Sequence, residues 1–323
     1  VCSSDLGAKR RAGLKGAARP TYFTAASRAG GVDDMEFWQA IAFTEPDQLV
    51  DFARSAEELG FDGVAAGDHF ITPERIESPY PYTADQRPWV LPDASTPDPL
   101  MLAATLAQHT ETLRFMVTAY VLPMREPLVA AKAISTAAVL SGNRLVLGIG
   151  VGWMREEFRA AGQEFTNRGS RCDEALELMA TLFRGGMVEH QGSHYTLPRA
   201  QMTPVPERPV PILVGGHSNA AFRRAARHDG WIGSHYDLAD IRTHLERFEK
   251  TRVELGRGDT PRQAVVALNH EVEADDLRRL EEAGITGVIQ MPLLFHGQPT
   301  SSFDAKRAAM ERFAERCIRP LQG

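Results

Sequence analysis

Cysteine is scarce in this 323-residue chain, with only Cys2, Cys172 and Cys317. So few, so far apart, exclude a disulfide framework and the paired spacings of a zinc site. The reducing cytoplasm is therefore the expected compartment. No apolar run approaches the roughly 20 residues that a membrane span needs. Positive charge is not in excess either, since 36 Lys and Arg against 42 Asp and Glu leave a net −6. Without a basic balance, neither nucleic acid nor an anionic membrane is an expected partner. The patterns GxSxG, HExxH, GxxxxGK[ST] and CxxC are all missing. Their absence weakens hydrolase, zinc-enzyme and kinase-type readings. The scattered His190, His194, His235 and His296 have no ligand spacing, so no metal is expected.

What remains is a soluble globular composition, 43% hydrophobic and 24% charged. Residues 1–34 stand apart. They hold Lys9, Arg10, Arg11, Lys15, Arg19 and Arg28 among many small residues, without the apolar core of a secretory signal. Val-Cys-Ser-Ser-Asp-Leu at the start reads like translated adapter DNA. Residues 1–34 are expected to be a non-native or disordered extension, with the natural start at Met35 and one domain over 35–323.

Along that domain, short β-rich runs alternate with helical periodicity. Strands are predicted at Glu36–Phe43, Asp62–Gly67, Leu113–Val121, Leu145–Leu147, Pro211–Val214, Gly230–Gly233, Ala264–Leu268 and Val288–Met291. Thr44 is the expected N-cap of the first helix, and Gly60 its C′ residue. Gln191-Gly192 predicts a small hairpin outside the main plan, after the fourth strand and its helix. Alternation implies parallel strands joined by crossover helices. Eight such units in under 300 residues fit a (β/α)8 TIM barrel better than an open sheet. The functional residues of such a barrel lie just past the carboxyl ends of the strands.

Several candidates stand there. Gly148, Gly150 and Gly152 alternate in Leu145-Val-Leu-Gly-Ile-Gly-Val-Gly-Trp153, each removing a side chain where something flat or charged could approach the backbone. The alternative is a glycine-rich turn with no ligand. Asp68-His69 follows the second strand; an imidazole titrates near neutrality and exchanges protons. A loop histidine beside a capping aspartate is the plainer reading. Thr118-Ala119 ends the third strand. Gly215-Gly216-His217-Ser218 follows the fifth and opens a helix, where free N–H groups favour phosphate; Ser218 could equally be only its N-cap. The long polar stretch Ile71–Thr96, rich in Pro and Tyr, has the length of a functional loop.

These residues carry a resemblance. Arg144 to Phe158, Phe37 to Pro46, Gly67-Asp-His-Phe70, Tyr120-Val-Leu-Pro-Met-Arg125 and Val214-Gly-Gly-His-Ser218 resemble the luciferase-like monooxygenase superfamily, in order and over about Met35 to Phe313. Within it, the chain is most similar to the coenzyme F420 (deazaflavin) oxidoreductases. The resemblance implies a bacterial luciferase-like barrel with a flavin or deazaflavin across its carboxyl end. His69 would be the catalytic acid or base, with Asp68 beside ring and substrate. Thr118 and Ala119 match a place where members often have a non-prolyl cis peptide behind the ring. Gly150, Val151 and Gly152 match backbone that passes near the cofactor. Gly215, Gly216 and Ser218 match the phosphate-binding helix start. The implied activity is hydride transfer between F420 and a small-molecule substrate, by a homodimer. An FMNH2-dependent monooxygenase of the luciferase or alkanesulfonate type, and a non-catalytic flavin-binding barrel, are the alternatives. For a tail-bearing deazaflavin, Arg125 and Arg155 are rim candidates, though isolated arginines are usually solvated. One position departs from the pattern. Sugar-phosphate dehydrogenases of the superfamily place a catalytic glutamate just after strand four, and Val151 stands there, so oxidation of that kind is not expected.

Overall fold

The computed structural model describes residues 35–83, 85–88, 94–291 and 302–321. The expected 1–34 extension lies outside the described residues, as do Pro292 and His296. Among the described residues, β1 (Glu36–Ala40), β2 (Gly63–Ala66), β3 (Arg114–Val121), β4 (Leu145–Gly150), β7 (Ile212–Gly215), β8 (Gly230–Tyr236), β9 (Gln263–Leu268) and β10 (Gly287–Gln290) pair in parallel and close into a barrel. β1 seals the ring by pairing with both β2 and β10. The helices are α1 (Leu49–Glu58), α2 (Pro99–Leu106), α3 (Pro127–Leu140), α4 (Arg155–Ala160), α5 (Arg168–Phe183), α6 (Asn219–Ala225), α7 (Leu238–Glu254), α8 (Ala274–Ala283) and α9 (Phe303–Phe313). The antiparallel hairpin β5 (Val188–Gln191) and β6 (Thr196–Ala200) stands outside the ring after α5, as the sequence predicts. Its turn is gathered onto Glu174 of α5, whose carboxylate accepts from the N–H groups of Ser193, His194 and Tyr195.

Alternate strand residues sort into two cores, as a pleat demands. Phe37, Val64, Phe115, Leu145, Leu147 and Val214 face the helices. Trp38, Ala65, Met116, Val146, Leu213, Ile232, Val265 and Ile289 fill the barrel interior. Large and small residues interlock there. A Cβ on Gly63 would stand 2.3 Å from the Trp38 ring, and one on Gly148 would stand 2.2 Å from the Val117 carbonyl and 2.5 Å from Ile232 Cδ1. At the amino end, Glu36 accepts from Trp38 Nε1 at 3.1 Å and pairs with Arg114 at 2.7 Å. That end is stapled shut by polar contacts, away from the carboxyl rim.

Local signals place the ends of the helices. Gly60 takes φ 88° just past α1, and Phe61 N–H reaches back to Ala56 O while Gly60 N–H reaches Glu57 O. This is a Schellman closure, which needs a left-handed residue. Asp98 caps α2 by accepting from Leu100 and Met101 N–H at 3.0 Å. Thr44 corrects the expectation made for it. The chain turns at Phe43 with φ 63° and enters α1 through a 3-10 turn at Pro46–Gln48. Thr44 Oγ1 is buried with no partner and caps nothing.

Gly148→Ala should lower unfolding free energy by about 1–3 kcal/mol, the usual cost of overpacking a filled core. Urea denaturation measures it, and an unchanged midpoint would refute the assignment of Gly148 to packing.

Candidate active site

At the carboxyl rim, the innermost positions are small. The Thr118–Ala119 peptide is cis, where the resemblance places such a bond. There β3 shifts register against β4, so that Val117 faces Leu147 and Tyr120 faces Ile149. The shift brings the Ala119 methyl into the mouth, 3.1 Å from where a Cβ would stand on Gly150 and 3.7 Å from one on Gly215. Ala119, Gly150 and Gly215 therefore meet on one floor, from three adjacent strands. A Cβ on Gly67 or Gly215 would meet no protein atom closer than 3.9 Å or 3.7 Å. Packing alone does not require glycine at those two places.

The alternating glycines at the end of β4 and just beyond it divide in function, which corrects the view that each leaves ligand space. Gly148 belongs to the interior core. At Gly152, with φ 79°, the side-chain space is taken by Phe158 and Val121, each 2.6 Å from an added Cβ. Val151 is partly buried and packs against the outer core. Of the three glycines, Gly150 alone borders the floor.

Asp68 and His69 point to different partners. Asp68 is buried, and both its oxygens are engaged: one accepts from Val121 N–H and Arg125 at 2.8 Å, the other from Arg125 at 2.7 Å. The Arg125 guanidinium lies between the Phe70 and Tyr120 rings, 4.2 Å and 4.1 Å from their centroids. Arg125 is thus a buried clamp between the ends of β2 and β3 and not a solvated rim charge. His69 Nδ1 lies 3.1 Å from Glu157 Oε2. Glu157 is itself only 3% exposed, and its other oxygen accepts from Phe70 N–H at 2.8 Å. A carboxylate only accepts, so Nδ1 carries the proton and Nε2 is left as the exchanging atom. Burial alone would lower the His69 pKa; the hydrogen bond and charge of Glu157, with the charge of Asp68, outweigh it and raise it. The sequence leaves Glu157 unassigned and offers Arg125 only as a rim candidate, because no spacing rule ties partners 88 and 57 residues apart. The one local signal was Glu157 on the turn that follows Gly-Trp153.

The described part of the Ile71–Thr96 loop packs on the rim. Glu156 holds it by accepting from Glu77 N–H at 2.8 Å, Ser78 N–H at 3.1 Å and Ser78 Oγ at 2.8 Å. Tyr80 packs edge-on to Trp153 and Tyr82 to His217, with ring centroids 5.0 Å and 5.8 Å apart. His217 Nδ1 lies 2.7 Å from the Tyr236 hydroxyl, and its ring stacks on His244. Burial, then the charge of Arg247, lowers the His217 pKa. Gly216 O accepts from Trp231 Nε1 at 2.8 Å, which pins the segment before α6. Ser218 does cap α6, accepting from Ala221 N–H at 3.1 Å. Asn269-His270 serves a turn: His270 pairs with Asp276 at 3.1 Å on the exposed surface. Among the described residues, no cluster of His, Cys, Asp or Glu could hold a metal ion.

The rim thus combines a small-residue floor, an imidazole aligned by a carboxylate, and aromatic side chains of the loop after β2, on a closed parallel barrel. The chain belongs to the luciferase-like monooxygenase family, whose model matches residues 20–316. It is 34% identical over 287 residues to the uncharacterised protein Rv0940c of Mycobacterium tuberculosis, covering 88% of this chain and 99% of that one. It is also 30% identical over 203 residues to an F420-dependent glucose-6-phosphate dehydrogenase of Gordonia bronchialis, covering 61% of this chain and 55% of that enzyme. In fold it matches an F420-dependent secondary alcohol dehydrogenase in complex with an F420-acetone adduct, with a TM-score of 0.70 at 15% identity, over 88% of this chain and 98% of that one. Monooxygenase RslO1 from Streptomyces bottropensis matches equally, with a TM-score of 0.70 at 17% identity, over 90% of this chain and 100% of that one. The chain is accordingly an enzyme of the luciferase-like oxidoreductase or monooxygenase type.

Glu157→Gln should lower the His69 pKa, read from the histidine Cε1–H signal across a pH titration. Because the folded pKa is raised, the stability that Glu157 lends through His69 is fully present below about pH 6.5. It fades as pH climbs through the folded value. A wild-type minus variant stability difference that grows with pH would overturn the pairing.

Proposed function

We propose that this chain is a coenzyme F420-dependent oxidoreductase that transfers hydride to or from a small organic substrate. The observation that carries the reading is His69, held by Glu157 beside the floor of Ala119, Gly150 and Gly215. The small-residue floor suits a planar ring, so the fold's implied cofactor fits the residues present. The bound deazaflavin supplies the hydride acceptor or donor. Ala119, Gly150 and Gly215 bear the ring, and Gly215, Gly216 and Ser218 hold its phosphate. Asp68 and Thr118 border the same cofactor, Asp68 through the clamp on Arg125 that fixes the backbone next to His69. His69 Nε2 gives or takes the proton that accompanies the hydride. Tyr80 and Tyr82 cover the mouth and exclude water.

Val151 leaves no carboxylate just past β4, so the substrate is read as something other than a sugar phosphate, despite the dehydrogenase relatives. The second reading replaces F420 with FMN and adds oxygen chemistry. It is favoured by a fold match to an oxygenating Baeyer-Villiger constituent in complex with FMN, at a TM-score of 0.57 and 20% identity. Free, buried Cys172 and Cys317 suit the cytoplasm, and no helix among the described residues is long and apolar enough to cross a membrane. A homodimer is also proposed. The apolar helices α2 and α3 leave Met101 75%, Val129 66% and Leu140 54% exposed, surface that a second copy would cover.

His69→Ala should reduce turnover about 100-fold or more while cofactor affinity stays within about threefold. Gly215→Ala should do the reverse, weakening cofactor binding about tenfold with the unfolding midpoint unchanged. Spectral titration with F420 and with FMN reads both. Equal losses for the two variants, or none, would sink the assignment. Met101→Glu with Val129→Glu should shift sedimentation to a monomer, and an unshifted dimer would place the contact elsewhere.

A further inference from the structure

Helix α4 has six residues, Arg155–Ala160, and its own N-cap residue, Met154, offers no side-chain bond. So short a helix does not hold its shape unaided, and its first N–H groups need partners from elsewhere. Ser78 supplies one from the loop after β2, 77 residues away: its Oγ accepts from Arg155 N–H at 2.9 Å. The same hydroxyl donates to Glu156 Oε2 at 2.8 Å, and Ser78 N–H donates to Glu156 Oε1 at 3.1 Å. A serine hydroxyl on a helix N–H, with a helix glutamate on the serine N–H, is the reciprocal arrangement of a capping box. Here the serine comes from a separate segment of the chain. Ser78 is buried, where a lost hydrogen bond is not made good by solvent.

The capped turn carries Glu157, whose carboxylate lies 3.1 Å from His69 Nδ1 and accepts from Phe70 N–H at 2.8 Å. The loop is thus fastened at two neighbouring points of one turn, by Phe70 on Glu157 and by Ser78 on Glu156. Farther along, α4 is anchored by Phe158, buried edge-on against Phe165 with ring centroids 5.1 Å apart. Apolar packing is non-directional, whereas the bonds of Ser78 have set angles and fix how the first turn is rotated. We propose that Ser78 is a positioning residue for His69: by capping α4 from the loop, it fixes the turn from which Glu157 aligns the imidazole. The loop reaches His69 by a second route as well, Tyr80 on Trp153 at 5.0 Å and Trp153 edge-on to His69 at 6.5 Å. That route carries no charge and bypasses Glu157. Asp68, the other carboxylate that acts on His69, is held by Arg125 and Val121 N–H, apart from α4. The proton role proposed above for His69 decides only what the alignment serves; the alignment itself is a property of the free protein.

The test follows the His69 Cε1–H signal of the purified protein through a pH titration, with His69→Gln identifying the signal. Ser78→Ala should move the His69 midpoint down by about 0.5 pH, toward the ordinary histidine value of about 6.5. Ser78→Thr, which keeps the hydroxyl, should recover most of that shift. Thr83→Ala removes a bond to Arg87 O at 2.9 Å elsewhere in the same loop and should leave the midpoint in place. In a Glu157→Gln background, Ser78→Ala should move the midpoint no further, because both changes act through one carboxylate. Glu156→Gln weakens the same cap more mildly, and should shift the midpoint in the same direction if Ser78→Ala does not fold. An unmoved midpoint in Ser78→Ala, or an equal shift in Thr83→Ala, would overturn the proposal. So would additive shifts in the double variant, which would assign the coupling to the Trp153 route. None of these readings needs substrate or cofactor, so they stand apart from the test of the proposed activity.

Discussion

Phe37 to Gln39 face Val288 to Gln290 across one parallel seam, and that seam turns eight strands into a ring. A ring of parallel strands has two unlike ends. One is sealed by Glu36, Trp38 and Arg114; the other gathers every strand-to-helix connection. Side chains that are far apart in sequence are brought to one rim by this geometry alone. Asp68 meets Arg125, His69 meets Glu157, and Ala119 meets Gly215, each from a different connection.

Two electrostatic regimes share that rim. Around His69 every charge is answered: Arg125 by Asp68, the imidazole by Glu157, and the Glu157 carboxylate by backbone N–H groups besides. Buried pairs of this kind resist disruption because losing one partner strands the other in a low dielectric. One sector along, Arg155 and Arg168 share the face of Phe165, and among the described residues neither forms an ion pair.

Much of the architecture was legible in the sequence, for physical reasons. Strands buried on both faces read as short apolar runs, and Asp98, Gly60 and Pro127 mark helix ends through local chemistry that needs no tertiary context. The barrel and hairpin followed from alternation. Candidate positions were legible where glycines and polar residues stood just past strands. Their division of labour was not. Gly148 and Gly152 look like Gly150 in one dimension, and only three-dimensional neighbours such as Ile232 and Phe158 show which glycine serves packing. Thr44 had a good N-cap residue type, but the turn at Phe43 carried it into the core. Arg125 and Glu157 find their partners 57 and 88 residues away, beyond any periodicity.

The short helix α4 joins two tasks that usually belong to separate elements. Glu156 grips Ser78 in the covering loop, and the next residue, Glu157, grips His69. Cover and imidazole are therefore geared to a single shaft. Any displacement of Glu77 and Ser78 is passed through one helical turn to the carboxylate that holds His69 Nδ1.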